Sequence, residues 1–410
     1  MPHGISFVWA GGPNKKGGKT HMLKSGVYTQ LAPIQFGNGS VEMVGEIAKN
    51  LGINKAMVIT DAGVVGVGHD KKVMASLEKA GVTALLWDRA QPECPDSALR
   101  EARTFALEHQ IDGLIGLGGG SSMDTAKISS IMIPNDIDDI LNHLNTYLFG
   151  EKKYANPALP VVLVPTTFGT GAESTYCGVV SSEVENAKIG VLCNPSYGIV
   201  DPTLAVGLPA QGTAFTGMDA FSHALEALGG KKNTPHSDLL AYEAIRLLYQ
   251  WLPKACQDVN ALEPREYTAL ASNFAGISFS EAGVHIGHCT AHFIGHDFHM
   301  AHGWACALNV PPIIELMGKH FPEKTAALGR AMGLDVSETA SNLGKTVANE
   351  ARALMRRVGI PSLAAHGVSR EQTMAYAPMI NENFLSHAFD IEIDLPLCEA
   401  YLASLYDNYM

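Results

Sequence analysis

The chain has 410 residues, which at roughly 100–200 residues per domain makes two or three domains. Hydrophobic residues are 46% and charged residues 17%, a balance that builds a packed core and excludes global disorder. Lys and Arg number 29 against 41 Asp and Glu, a net charge of −12 with no local basic patch; that disfavours nucleic acid and anionic membrane as partners.

No apolar run approaches the roughly 18–20 residues needed to span a bilayer. The N-terminus MPHGISFVWAGGPNKKGGKT has no basic segment ahead of its short apolar stretch, which argues against a signal peptide. The seven cysteines are scattered, odd in number and free of any CxxC pair. That pattern points to reduced thiols and a cytoplasmic enzyme.

In chain order, GGPNKKGGKT (11–20) comes first. It resembles a phosphate-binding loop, but the position five before Gly18 is Pro13. The motif fails by one residue, and the stretch reads as an exposed arm or hairpin. AMVIT (56–60) is a short strand, followed by helical texture around 70–80 and a second strand, TALLW (83–87). Asp61 directly follows the first of these strands. An acid there can accept bonds from ribose hydroxyls and repel a 2′-phosphate, or simply serve the turn TDAG.

DSALREARTFALEH (96–109) is an amphipathic helix, DGLIGLG (112–118) a third strand, SSMDTAKISSIM (121–132) a helix and PVVLVP (160–165) a fourth strand. Strand alternating with helix predicts a parallel sheet with right-handed crossovers. Within it, GLGGGSSMDTAK (116–127) puts three glycines between strand and helix. A helix N-terminus with unpaired N–H groups and no Cβ in the way suits a pyrophosphate. A tight turn needing positive φ is the alternative use, and the spacing is not GxGxxG.

After Asp201-Pro202 the texture turns helical: TAFTGMDAFSHALEAL (213–228), SDLLAYEAIRLLYQWL (237–252), EYTALASNFAGISFSEAG (266–283) and VSETASNLGKTVANEARALMRRVG (336–359). The expected organisation is an α/β dinucleotide-binding domain, 1–205, with a Rossmann-like parallel sheet, and an all-helical metal- and substrate-binding domain, 206–410.

Six of the 16 histidines lie between 285 and 302, in VHIGHCTAHFIGHDFHMAHG. His288 and His292 are four apart and share a helix face. Cys289 stands where HExxH needs glutamate, which excludes a zincin. Upstream, Asp219 and His223 are also four apart. That pair with two later histidines makes a three-nitrogen, one-oxygen site for Fe(II), Zn(II) or another divalent first-row metal.

Together these segments resemble the iron-containing (group III) alcohol dehydrogenases, within the dehydroquinate synthase-like superfamily. The resemblance runs from FGNGS (36–40) to about residue 315. It rests on GGGSSMDTAK, PTTFGTGAEST (165–175), GMDAFSHALEA and HCTAHFIGHDFHMAHG, in the family's order.

It implies metal ligation by Asp219, His223, His288 and His302, and places His292 beside the nicotinamide and substrate as a catalytic proton relay. Gly119, Gly120 and Ser121 would hold the pyrophosphate. Asp124, Thr166, Thr167 and Lys188 would belong to the same cofactor site, and Asp61 would favour NAD over NADP. It further implies a homo-oligomer acting on a small alcohol or aldehyde, hydride passing between substrate carbon and nicotinamide.

The chain departs from the family in Ala301 and Trp304 beside the last ligand, in its long N-terminal arm and in the long segment 134–158, and these leave the substrate open. Within the same superfamily stand a non-redox cyclase or lyase and a hydroxyacid-oxoacid transhydrogenase. The cyclase needs a basic pocket for a sugar phosphate, and 281–303 contains neither Lys nor Arg.

Overall fold

In a computed structural model, residues 28–141, 154–182 and 187–409 are described. The arm 11–20 and residues 142–153 of the long segment 134–158 lie outside them. Six strands form one sheet in the order β1-β8-β5-β4-β2-β3. They are β1 (Ile34–Phe36), β2 (Lys55–Ile59), β3 (Thr83–Trp87), β4 (Gly113–Gly118), β5 (Val161–Pro165) and β8 (Tyr197–Val200). Every pairing in it is parallel. The expected α/β layer is present.

Its core follows the two-residue period of a strand. Val58, Ile115, Leu117, Val162 and Val164 pack on one face, with helices α1 (Val44–Asn50) and α2 (His69–Lys79). Met57, Ile59, Leu114, Val161 and Leu163 pack on the other, with α3 (Asp96–Glu108) and α4 (Gly120–Met132). Both faces are covered, so β4 and β5 are buried at every residue and read as continuous apolar runs.

Three features go beyond the sequence reading. β1 and β8 add an edge to the sheet. An antiparallel hairpin of β6 (Cys177–Ser182) and β7 (Ala187–Leu192) stands apart from it. The helix expected over 336–359 begins only at Leu343; the Ser337 and Thr339 hydroxyls bond each other and Ser337 Oγ accepts the Thr339 N–H, satisfying the backbone locally instead of in a helix.

Past the turn Pro202–Ala205 the chain is helical, apart from an isolated bridge between Gly230 and Phe389. The elements are α5 (Ala210–Gly229), α6 (Pro235–Gln257), α7 (Leu262–Ala282), α8 (Ile286–Asp297), α9 (His302–His320), α10 (Pro322–Ala331), α11 (Leu343–Arg357) and α12 (Leu395–Asp407), with shorter helical turns between α11 and α12. They share one core.

The two halves meet where the loop after β5 crosses α7. Gly171 has φ +58, and a Cβ on it would lie 2.5 Å from the Gly276 Cα. Among the described residues no helix is long and apolar enough to cross a membrane, and all seven cysteines are unbridged.

Candidate active site and metal centre

β4 ends at Gly118, whose φ of +148 directs the chain into α4. A Cβ there would lie 2.6 Å from the Ser122 hydroxyl, so the position requires glycine. Gly119 caps α4 without a side chain, leaving the first N–H groups open to an anion.

The loop after β5 lies over this turn. The Thr166 N–H donates to the Gly118 carbonyl at 2.9 Å. Thr167 covers Gly119, and Thr170 covers Gly120 closely enough that a Cβ would reach its methyl at 2.8 Å. Asp61 stands at the end of the neighbouring strand β2. It caps the one-turn helix Ala62–Gly66 by accepting from the Gly63 and Val64 N–H groups, and accepts from Ser122 at 3.3 Å. The turn role and the position beside the glycines therefore coexist.

Other expected cofactor residues point elsewhere. Ser121 accepts the Glu93 N–H. Asp124 accepts the Val179 N–H at 3.1 Å and faces Lys127 at 3.5 Å, tying α4 to the hairpin. Burial raises the Asp124 carboxyl above its usual range, against the nearby lysine. Lys188, on β7, pairs with Glu93 at 2.9 Å, and its charge reaches His292 and His302.

Residues i, i+4 and i+7 of a helix share a stripe. On α5 these are Asp219, His223 and Glu226, all buried. Around Asp219 Oδ1 stand His288 Nε2 and His302 Nε2, each at 3.7 Å, and His223 Nδ1 at 3.9 Å. Asp219 Oδ1, His223 Nδ1 and His288 Nε2 have no hydrogen-bond partner among the described residues. Buried lone pairs left unpaired around a carboxylate are costly, and a divalent cation satisfies them together. The residues thus suit the metal expected here.

Two participants were not expected. Glu226 is fully buried and accepts from the backbone N–H groups of His285 (2.5 Å) and His288 (3.1 Å), an acid at the N-terminus of α8. It also contacts His288 Nδ1 at 2.5 Å and His285 Nδ1 at 3.2 Å. Holding Nδ1 turns Nε2 of His288 towards Asp219 Oδ1, the pattern of carboxylates behind metal-bound histidines. Gly287 permits this, since a Cβ would lie 2.5 Å from Glu226 Oε1.

The second is Cys306, one helical turn past His302. Its sulfur lies 3.5 Å from His302 Nε2. Asp219, His288, His302 and Cys306 form a group whose donor atoms all lie within 4.8 Å of one another, and His223 falls outside it. His223 instead stacks between Phe279 and His288, with ring centroids at 4.1 and 4.4 Å. Phe279 thus backs a histidine.

The histidine cluster divides by environment. His285 stacks on Phe389 at 4.0 Å. His296 and His299 are exposed. His292 is half-buried, its ring centroid 5.6 Å from that of His302 and 6.4 Å from that of His288. Trp304 turns from the cluster and donates to the Pro361 carbonyl at 2.8 Å.

Burial lowers His223 and His285 to about 4, against the pull of Asp219 and Glu226 respectively. It lowers His302 too, with Lys188 adding to the fall. Burial would raise Asp219 and Glu226, but adjacent imidazoles outweigh it and hold both below the carboxylate range. Burial also acts to lower His288, yet the Cys306 sulfur and Glu226 prevail and raise it, so an entering cation displaces a proton. His292 is pushed well below 6.5 by burial, His302 and Lys188.

A phosphate-ready glycine turn on a parallel sheet, facing a histidine–carboxylate cluster on a helical half, defines a nucleotide-linked metalloenzyme. The iron-containing alcohol dehydrogenase family matches residues 32–202, and that family's C-terminal domain matches 213–388. The chain belongs to this family. It is 34% identical over 348 residues to the NAD-dependent methanol dehydrogenase of Bacillus methanolicus, covering 82% of this chain and 88% of that one. It is 28% identical over 377 residues to the mitochondrial hydroxyacid-oxoacid transhydrogenase of Homo sapiens, covering 83% and 81%. A solved 1,3-propanediol oxidoreductase superposes with a TM-score of 0.86 at 29% identity, covering 93% of this chain and all of that one. The chain is a metal-dependent alcohol dehydrogenase, and the non-redox cyclase reading is set aside.

Proposed function

We propose that the chain interconverts a small alcohol and its aldehyde or ketone with NAD, using Asp219, His223, His288 and His302 to hold the metal. The observation that carries this reading is the set of unpartnered donor atoms around Asp219 Oδ1. Bound in the cleft, a divalent metal and NAD supply the Lewis acid and the hydride acceptor. Glu226 orients His288. Gly119, Gly120 and the N–H groups of α4 receive the pyrophosphate, and Thr166 and Thr167 close over it. Ser121 and Asp124 serve that site indirectly, by positioning α4. Lys188 lines the cleft on the hairpin side. His292, kept neutral, orients substrate and passes a proton towards solvent.

The division at 205 separates cofactor binding from metal binding. Unbridged cysteines support a cytoplasmic location, and we read the chain as a homo-oligomer.

The test is to strip the protein with a chelator, reload it with Fe(II) or Zn(II), and follow nicotinamide absorbance with primary alcohols, diols and hydroxy acids. Activity lost on stripping and restored by metal is expected; NADH formation indifferent to the chelator would contradict the reading. A second reading, hydride exchange between a hydroxy acid and an oxo acid, is favoured by the transhydrogenase relative. It requires turnover with catalytic NAD and no net NADH.

A further inference from the structure

We propose that Glu93 is a positioning residue of the cofactor cleft, whose carboxylate holds the Lys188 ammonium between the glycine turn and the histidine cluster. This rests on the place given to Lys188 above and adds the group that keeps it there. Glu93 lies in QPECP (91–95), in the loop from β3 to α3. Glu93 and Cys94 have φ of +64 and +49, the left-handed region that residues other than glycine seldom enter. Cys94 also precedes Pro95, and a residue before proline favours extended backbone. Two such residues in a row persist only where their surroundings fix them.

The surroundings do so from two sides. The Glu93 N–H donates to Ser121 Oγ at 2.9 Å, in the first turn of α4, and Thr125 Oγ1 donates to Cys94 Sγ at 3.3 Å. The Cys94 carbonyl accepts the Ser181 N–H of β6 at 3.1 Å, and Pro95 bridges the same residue. Ser181 is the cross-strand partner of Lys188, so their side chains share a face of the hairpin. The loop thus reaches the glycine turn through Ser121 and Lys188 through Ser181. The ion pair closes that circuit: Lys188 Nζ lies 2.9 Å from a Glu93 carboxylate oxygen, with the lysine side chain 14% exposed. An ion pair is worth little when two free side chains must be ordered to form it; here the backbone of the acid is already fixed and the lysine is largely enclosed. Held so, the ammonium is near enough for its charge to reach His292 and His302. Released, its flexible four-carbon stem would carry that charge elsewhere.

The experiment titrates NADH into the full metal-loaded chain by nucleotide fluorescence, in the wild type, Glu93→Gln, Lys188→Met and the double variant. Circular dichroism and metal content are measured on each. Glu93→Gln keeps the backbone bond to Ser121 and removes only the ion pair. It should weaken NADH binding roughly three- to tenfold in the unmutated background, the coupling of two groups in contact, and not at all beside Lys188→Met. Equal loss in both backgrounds would make Glu93 a support of its own loop, and no loss in either would remove it from the site. Each of these overturns the proposal and leaves the NAD reading standing. Binding unweakened by Lys188→Met would overturn the proposal together with the place given to Lys188. Failure of the unmutated chain to bind NADH would overturn the NAD reading itself, and the proposal with it.

Discussion

Asp219, His223 and Glu226 lie on one helical stripe, and that spacing is plain in GMDAFSHALEA. The first two were legible as donors. Glu226 was not, because a glutamate in a helix usually faces solvent, and only the fold brings α8 onto it. Cys306 was hidden for a similar reason: a cysteine among alanines reads as a small apolar residue. Glu226→Gln keeps the shape and removes the charge that orients His288. Metal affinity should fall 10–100-fold, measured by competition with a chelator; unchanged affinity would deny the orienting role. His292→Ala should retain stoichiometric metal and lose turnover by roughly 10²–10⁴-fold. The sequence alone would put its titration near pH 6–8, but the structure moves it well below 6.5, so removing His292 should leave the rate profile at pH 7–8 unchanged in shape. Asp61→Gly should raise use of NADP relative to NAD; a wild type that already prefers NADP would reduce Asp61 to its capping role.

Among the elements, β2 to β5 were legible because each is a short apolar run bounded by turn residues. β1 and β8 have three and four residues and pair with each other across more than 150 positions of chain, so nothing local announces them. The hairpin β6–β7 pairs Lys188 with Glu93 and lets its charge reach His292 and His302, a cation that the stretch 281–303 does not contain. The loop after β5 holds the cofactor turn only because Gly171 meets Gly276 without side chains. Gly171→Ala combines a positive φ with overpacking, and should cost about 1–3 kcal/mol. A lower denaturation midpoint with an unchanged slope would report it; an unchanged midpoint would mean that the two backbones part without cost.

For the whole molecule, the site joins three helices, α5, α8 and α9, to a sheet whose strand β4 ends in the glycine turn. His223 and His285 are lowered to about 4 by burial. Since their folded pKa values lie below the unfolded value, the unfolded chain binds more protons as pH falls from about 6.5 towards 4, and stability declines over that window. Each imidazole contributes up to about 1.4 kcal/mol per pH unit. In chelator-treated protein, His285→Gln should therefore show a shallower loss than wild type; equal slopes would contradict the burial argument. The most direct test of the metal-centred account is the metal content of Asp219→Ala purified beside the wild type, with circular dichroism to show that both are folded. The account predicts one ion per wild-type chain and none in the variant, with activity lost alongside it. Full occupancy in folded Asp219→Ala would contradict it.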